Sequence, residues 1–342
     1  DTMYCAVQSA DDGSIPGATH EEKVETYKYW QCYNLDNYYE STKHLTFDTT
    51  FIPLTKEEVQ ALVKELSNPS KLTEEQKEII KSISMKIDEA ITKYNGKAFV
   101  KLASRSPKDA ADKLPHILPI LKKELEKQDS THNGEFIAMR YSLMEAMAVD
   151  SAKSTFDLFA FSSRIISDIQ RDLQYSGDNW NQSIVIREFC SIPLEGELRA
   201  FVHNGKLTGL SQYYTNCYFP SLEKKQDEII ERVKEFHKEL MNVVHLKSFI
   251  IDLVVYNDVQ QGKHCDSGVT LVELNPWSDK TGSALFNWID DKDILENGPL
   301  EFRMLTEPPK VKVGSSWQCL IDKVKGENEK LEPKEQSKRS GW

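Results

Sequence analysis

The sequence predicts an α+β protein of two lobes, and three features carry that reading. Ile-rich segments at helical spacing dominate the first half, and β-branched and aromatic runs parted by short turns dominate the second. A turn-rich break, Ser176-Gly177-Asp178-Asn179, separates the two compositions. With 342 residues, 39% of them hydrophobic and 28% charged, the chain is long and apolar enough to bury a sizeable core.

Taken in order, residues 1–20 lack an apolar period, contain Asp11-Asp12-Gly13-Ser14 and Pro16-Gly17, and read as a mobile head. Aromatics crowd from Tyr27 to Tyr39, and residues 45–54 read as a strand. Thr55 and Glu58 then open a helix over 56–67. After Asn68-Pro69-Ser70 a second helix covers 73–94, with Ile79, Ile80, Ile83, Ile87 and Ile91 at helical spacing. Gly96 ends it and admits a strand over 98–102. Ser106, Pro107 and Asp109 spell a capped helix start. Residues 118–134 read as a charged helix and loop needing only solvent, and 136–147 and 155–173 alternate helix and loop character.

The second half gives strands over 184–189, 198–203 and 206–212, the last two joined by Asn204-Gly205, then a helix over 221–241 and strands over 249–256 and 269–274. These form an antiparallel sheet with the helix over one face. Residues 323–342 are polar and charged and read as a disordered tail. The expected organisation is a head at 1–20, an N-terminal lobe at 21–182, a C-terminal lobe at 183–322 and a tail at 323–342.

Composition excludes several function classes. Forty-three Lys and Arg against 54 Asp and Glu leave a net charge of -11, which argues against wrapping duplex nucleic acid, an interaction that runs on cationic neutralisation of phosphates. No run approaches the ~18 apolar residues of a membrane span. The six cysteines are dispersed without a C-x-x-C pair, so neither a disulfide scaffold nor a structural zinc is expected. No basic and apolar leader is visible, and the compartment expected is the reducing cytoplasm.

Three groups of residues could carry chemistry. If Tyr256 and Val269 close a hairpin, antiparallel pairing sets Asp252 opposite Glu273, with Asn275 on the same face as Glu273. Two carboxylates meeting among apolar neighbours repel, so the pair calls for a cation or the uptake of a proton. Hard oxygen donors on paired strands suit Mg2+ shared with phosphates, while a solvated pair of surface acids is the plainer alternative. Lys101, at the end of a strand before a small-residue loop with Arg105 and a capped helix, suits an anion such as phosphate. An edge-strand Lys before an ordinary helix is its plainer alternative. Glu197 and Arg199 share a strand face at a spacing that allows a mutual ion pair or a joint grip on a polar ligand.

The order of these groups resembles the ATP-grasp superfamily, in which two α+β lobes clamp ATP and a Glu-x-Asn strand holds Mg2+. More closely, the chain resembles the cell division cycle protein 123, or D123, family over about residues 28 to 290. Lys101-Leu102 with Ser106-Pro107-Lys108-Asp109-Ala110 is similar to that family's Lys-Leu-Asn-Trp-Ser-Ala-Pro-Lys/Arg-Asp-Ala segment. Glu197-Leu198-Arg199-Ala200-Phe201-Val202, Lys206-Leu207-Thr208-Gly209-Leu210-Ser211-Gln212, Leu271-Val272-Glu273-Leu274-Asn275-Pro276-Trp277 and Ser283-Ala284-Leu285-Phe286-Asn287-Trp288 resemble its later elements. Departures are Ala103-Ser104 and Arg105 in the loop, Glu273 in place of an Asp, and Ile-rich helices in place of an acidic linker between Leu54 and Gly96.

The resemblance implies an ATP-grasp fold with a nucleotide cleft between the lobes. It implies ATP contacts from Lys101, Ser104, Arg105, Glu197 and Arg199, a hinge of Arg187, Glu188, Phe189 and Cys190 beside the adenine, and Mg2+ on Asp252, Glu273 and Asn275. It further implies an assembly chaperone for translation initiation factor 2, acting through the gamma subunit. The alternative function is an ATP-grasp ligase joining an activated carboxylate or an RNA end to an acceptor that no residue identifies.

Overall fold

The computed structural model describes residues 18–256 and 268–331. In chain order the elements are α1 (His20–Gln31), α2 (Leu35–Thr42), β1 (Thr49–Leu54), α3 (Lys56–Ser67), α4 (Glu74–Lys93), β2 (Ala98–Leu102), α5 (Ile117–Leu125), α6 (His132–Ala146), β3 (Ala148–Val149), α7 (Ala152–Ala160), α8 (Ser163–Tyr175), β4 (Gln182–Glu188), β5 (Glu197–His203), β6 (Lys206–Gln212), α9 (Pro220–Val243), β7 (Phe249–Val255), β8 (Val269–Pro276), α10 (Lys292–Asn297), β9 (Glu301–Arg303) and α11 (Ser315–Leu331).

Two sheets divide the strands. The first has the order β1-β4-β2-β3 and is antiparallel throughout. Capping boxes at Thr55 and Thr73 start α3 and α4, satisfying backbone donors that the first turn leaves unpaired. Those helices lay Leu62, Ile83, Ile87 and Ile91 against Ile52, Val100, Leu102, Ile184 and Ile186 on one face of the sheet. Since side chains alternate along a strand, Lys101 and Val185 are driven to the other face.

The second sheet has the order β8-β7-β5-β6-β9, antiparallel except for β6 with β9. Asn204 and Gly205, at φ 51° and 77°, make the tight turn between β5 and β6. On one face α9 sets Val233, Phe236 and Leu240 against Leu198, Ala200, Ile251 and Leu253. Alternation again turns Arg199, Asp252 and Glu273 to the opposite face, so the polar faces of the two sheets meet across a cleft.

Four expectations change. Strand β4 pairs with β1 and β2, so the chain crosses between the sheets after Glu188 and not at 182/183. An apolar strand reads alike in either sheet, and only pairing assigns it. No helix begins at Pro107: the carboxylate of Asp109 instead accepts from the Ser162 and Ser163 hydroxyls and the Arg164 N–H, at the head of α8. Helix α5 is not merely solvated, since Ile117 and Leu121 are buried. Residues 323–331, expected within a disordered tail, complete α11, where Val324 is buried and Lys325 Nζ reaches Glu135 Oε1 at 2.6 Å. Residues 332–342 and most of the expected head, 1–17, lie outside the described residues. No described helix is long and apolar enough to cross a membrane.

Candidate functional site

Strands β7 and β8 pair Asp252 with Glu273, as the hairpin argument requires. The route differs by one residue. Val255, not Tyr256, pairs with Val269, and a bulge at Val272 restores the register before Glu273. The predicted repulsion does not arise, because the fold supplies cations of its own. Arg199, directly across from Asp252 on β5, grips that carboxylate with two parallel bonds, Nε to Oδ1 and Nη2 to Oδ2, both at 2.7 Å. Its Nη1 donates to the Gly282 carbonyl, and its guanidinium lies 5.1 Å from the Tyr213 ring.

From the first sheet, Lys101 crosses the cleft and donates from Nζ to Glu273 Oε2 at 2.8 Å. Its side chain is 5% exposed, that of Glu273 29%. Burial pushes the Glu273 carboxyl up, but the charge and hydrogen bond of Lys101 outweigh it and hold the group at about 2. The amide nitrogen of Asn275 donates to Asp252 Oδ2 at 3.1 Å, which leaves its carbonyl oxygen as an acceptor. Glu197 and Arg199 form no ion pair. Glu197 accepts instead from Tyr214 Oη at 2.6 Å, and burial raises its carboxyl to about 7. Arg199 spends its charge on the nearer carboxylate across the strand.

Arg187 also ties the sheets together: from β4 it donates through Nη1 to the Val272 carbonyl on β8 at 2.8 Å and through Nη2 to the Thr46 hydroxyl, with Phe47 stacked 4.9 Å away. Glu188 accepts from Cys190 Sγ at 3.3 Å, and Phe189 lies under Lys97 Nζ at 4.2 Å. Arg105 donates to Asp168 Oδ1 at 3.1 Å, while the buried Ser104 hydroxyl has no partner among the described residues.

All twelve candidate residues line two adjoining cavities that share Lys101, Ser106, Lys108, Tyr213 and Glu273. The inner cavity, about 230 Å³, is mostly apolar: Phe47, Phe99, Met144 and Met147 join the stretch from Arg187 to Cys190. The outer, about 240 Å³, is polar and holds Ser104, Arg105, Arg199 and Asn275. Sequence reasoning missed Lys108, Arg164, Arg140 and Tyr213 on these walls. Lys108 stood inside a quoted motif and could have been found. Arg164, on a helix remote in sequence, gave no signal. Lys108 donates to Tyr213 Oη at 3.1 Å, and desolvation in the cavity, then the charge of Arg164, draws its pKa down to about 8.

A family description for D123 proteins matches residues 135–323, more than half of the chain. The chain belongs to the D123 family. Relatives include the translation initiation factor eIF2 assembly protein of Xenopus laevis, 28% identical over 211 residues, covering 60% of this chain and 52% of that protein. The protein of the same name in Danio rerio is 24% identical over 249 residues, covering 70% and 60%. Cell division cycle protein 123 of Candida glabrata is 31% identical over 127 residues, 36% of this chain and 34% of that one. The D123 chain described here thus spans little more than half the length of these relatives at most. Among solved structures, Cdc123 from Schizosaccharomyces pombe shares the fold with a TM-score of 0.58 at 18% identity, over 82% of this chain and 98% of that one.

Proposed function

We propose that this D123-family chain binds ATP with Mg2+ in the cleft and acts as an assembly factor for eIF2, as its relatives' names describe, through the gamma subunit. The observation that carries the nucleotide reading is the junction of an apolar cavity and a cation-lined one at Lys101. An apolar slot suits a base, and Lys101, Lys108 and Arg199 beside it suit phosphates.

The donor set fits Mg2+. Glu273 retains Oε1, Asn275 its carbonyl oxygen, and an ionised carboxylate has about four lone-pair sites, so Asp252 keeps acceptor capacity beside Arg199. Two carboxylates and an amide oxygen suffice for an ion that completes its shell from phosphates and water. When bound, Mg2+ would neutralise phosphate charge. Lys101 and Arg199 hold the carboxylates in place and compensate their charge.

Thermal unfolding with ATP, with and without Mg2+, tests the reading. A ligand at a hundred times its Kd adds about 2.7 kcal/mol to the folded state, so a metal-dependent rise in Tm is expected. Absence of any rise at millimolar ATP would refute nucleotide binding. Co-elution with purified eIF2 gamma subunit tests the partner separately.

A further inference from the structure

The outer cavity carries more positive charge than its own acids compensate. Seven Lys and Arg side chains line it against three carboxylates that are already engaged; of the seven, Arg199 is paired with Asp252 of the inner cavity and Lys280 has an interaction of its own. Lys101 holds Glu273, Arg105 and Arg171 both hold Asp168, and Asp172, hydrogen-bonded by Gln182, is raised to about 7 by burial and by Asp168. Arg164 is left over: its side chain has no hydrogen-bond or ion-pair partner among the described residues. Desolvation, then the charge of Arg105, draws its pKa down, against the opposing influence of Tyr213, Asp109 and Asp168.

Position matters as much as charge. Lys101, Lys108 and Glu273 face both cavities, whereas Arg105 and Arg164 face only the outer one, which Trp30 of α1 also lines. A nucleotide spanning the junction would engage the shared residues and leave the Arg164 end open. On the wall of the same cavity the Ser104 hydroxyl, without a partner among the described residues, adds a neutral hydrogen-bonding group, and Trp30 an aromatic surface.

We propose that the outer end of this cavity, between Arg164, Arg105 and Trp30, binds a second anionic small molecule beside the nucleotide, a carboxylate or phosphate carried on a compact, partly apolar body. Guanidinium groups recognise either anion through paired N–H donors, and Trp30 supplies the contact for the body. The inference rests on the nucleotide reading above for its arrangement, though not for the existence of the anion site.

The test titrates inorganic phosphate, phenyl phosphate and benzoate separately into the protein saturated with Mg2+ and AMP-PNP, followed by calorimetry and Tm. At least one should bind. The phenyl phosphate and benzoate arms separate the two anion chemistries, and inorganic phosphate shows what the apolar body contributes. Arg164→Gln should weaken that binding at least tenfold, Arg164→Lys should restore part of it, and AMP-PNP affinity should change less than twofold in both. The inference is overturned if none of the three anions binds the nucleotide-loaded protein, or if Arg164→Gln weakens AMP-PNP itself tenfold. If AMP-PNP fails to bind the unmodified protein, the nucleotide reading falls alone. The same titrations of the free protein then decide: Arg164-dependent binding upholds the anion site, and its absence overturns it.

Discussion

Replacing Glu273 by Gln removes the one negative charge that pairs with Lys101 among the described residues, and Lys101 is buried between the sheets. Judged from the strands alone, that substitution should leave the empty fold intact or slightly stabilised by ending a carboxylate repulsion. The structure reverses the expectation, since the variant strands a buried cation. Breaking one side of a fully buried pair costs about 3–5 kcal/mol. Lys101 is 5% exposed and bears nearly all of that, while water at the 29% exposed Glu273 end relieves part of it, which leaves about 2–3 kcal/mol of destabilisation. Equilibrium urea unfolding at pH 7 measures it. The pH dependence checks the cause. Because the folded-state pKa of Glu273 lies below its unfolded value of 4.5, its contribution is present above pH 4.5 and is lost as pH falls toward about 2. The gap between parent and Glu273→Gln should therefore shrink over that window. The paired variant Lys101→Met with Glu273→Leu should recover most of the loss, because an apolar pair carries no desolvation cost. A gap below about 0.5 kcal/mol at pH 7 would refute the reasoning, because it falls short of any buried ion pair.

Arg199→Met leaves Asp252 and its hydrogen bond to Asn275 without a counter-charge, and should cost about 3–5 kcal/mol in urea unfolding, more than Glu273→Gln because both partners here are buried. Asp109→Ala removes the carboxylate that caps α8 and should cost about 1–2 kcal/mol, read as a lower urea midpoint at unchanged m-value. Glu197, raised to about 7 from 4.5 by burial, keeps its proton in the folded state after the unfolded chain has lost it. Stability should therefore fall as pH rises from 4.5 to 7 and level off above. Glu197→Gln should flatten that fall, as measured by unfolding at pH 5 and pH 8.

Local order was legible wherever a pattern is local. The spans of α3, β2 and β6 and the Asn204-Gly205 turn follow from caps, periodicity and turn residues, which act over a few positions. The pairing of Asp252 with Glu273 was also legible, because strand alternation fixes faces, even though a bulge and a shifted end pair had to cancel. The family resemblance was readable for a related reason: its motifs are short and contiguous.

What the sequence could not determine is the company each side chain keeps across the cleft. Ser106-Pro107-Asp109 satisfies every rule for opening a helix, yet Asp109 caps α8 because Ser162 and Ser163, fifty residues on, stand within its reach. Glu197 and Arg199 are spaced for each other, but Asp252 on the neighbouring strand offers Arg199 a bidentate grip that a same-strand neighbour does not make. Lys101, Arg187 and Arg164 acquire their surroundings only when the polar faces of two sheets are brought together, and burial and charge at that junction depend on contacts across 85 residues of chain in one pair and 172 in another. Local propensity acts through the backbone of a single segment. Desolvation and ion pairing act through space, so only the tertiary structure decides them.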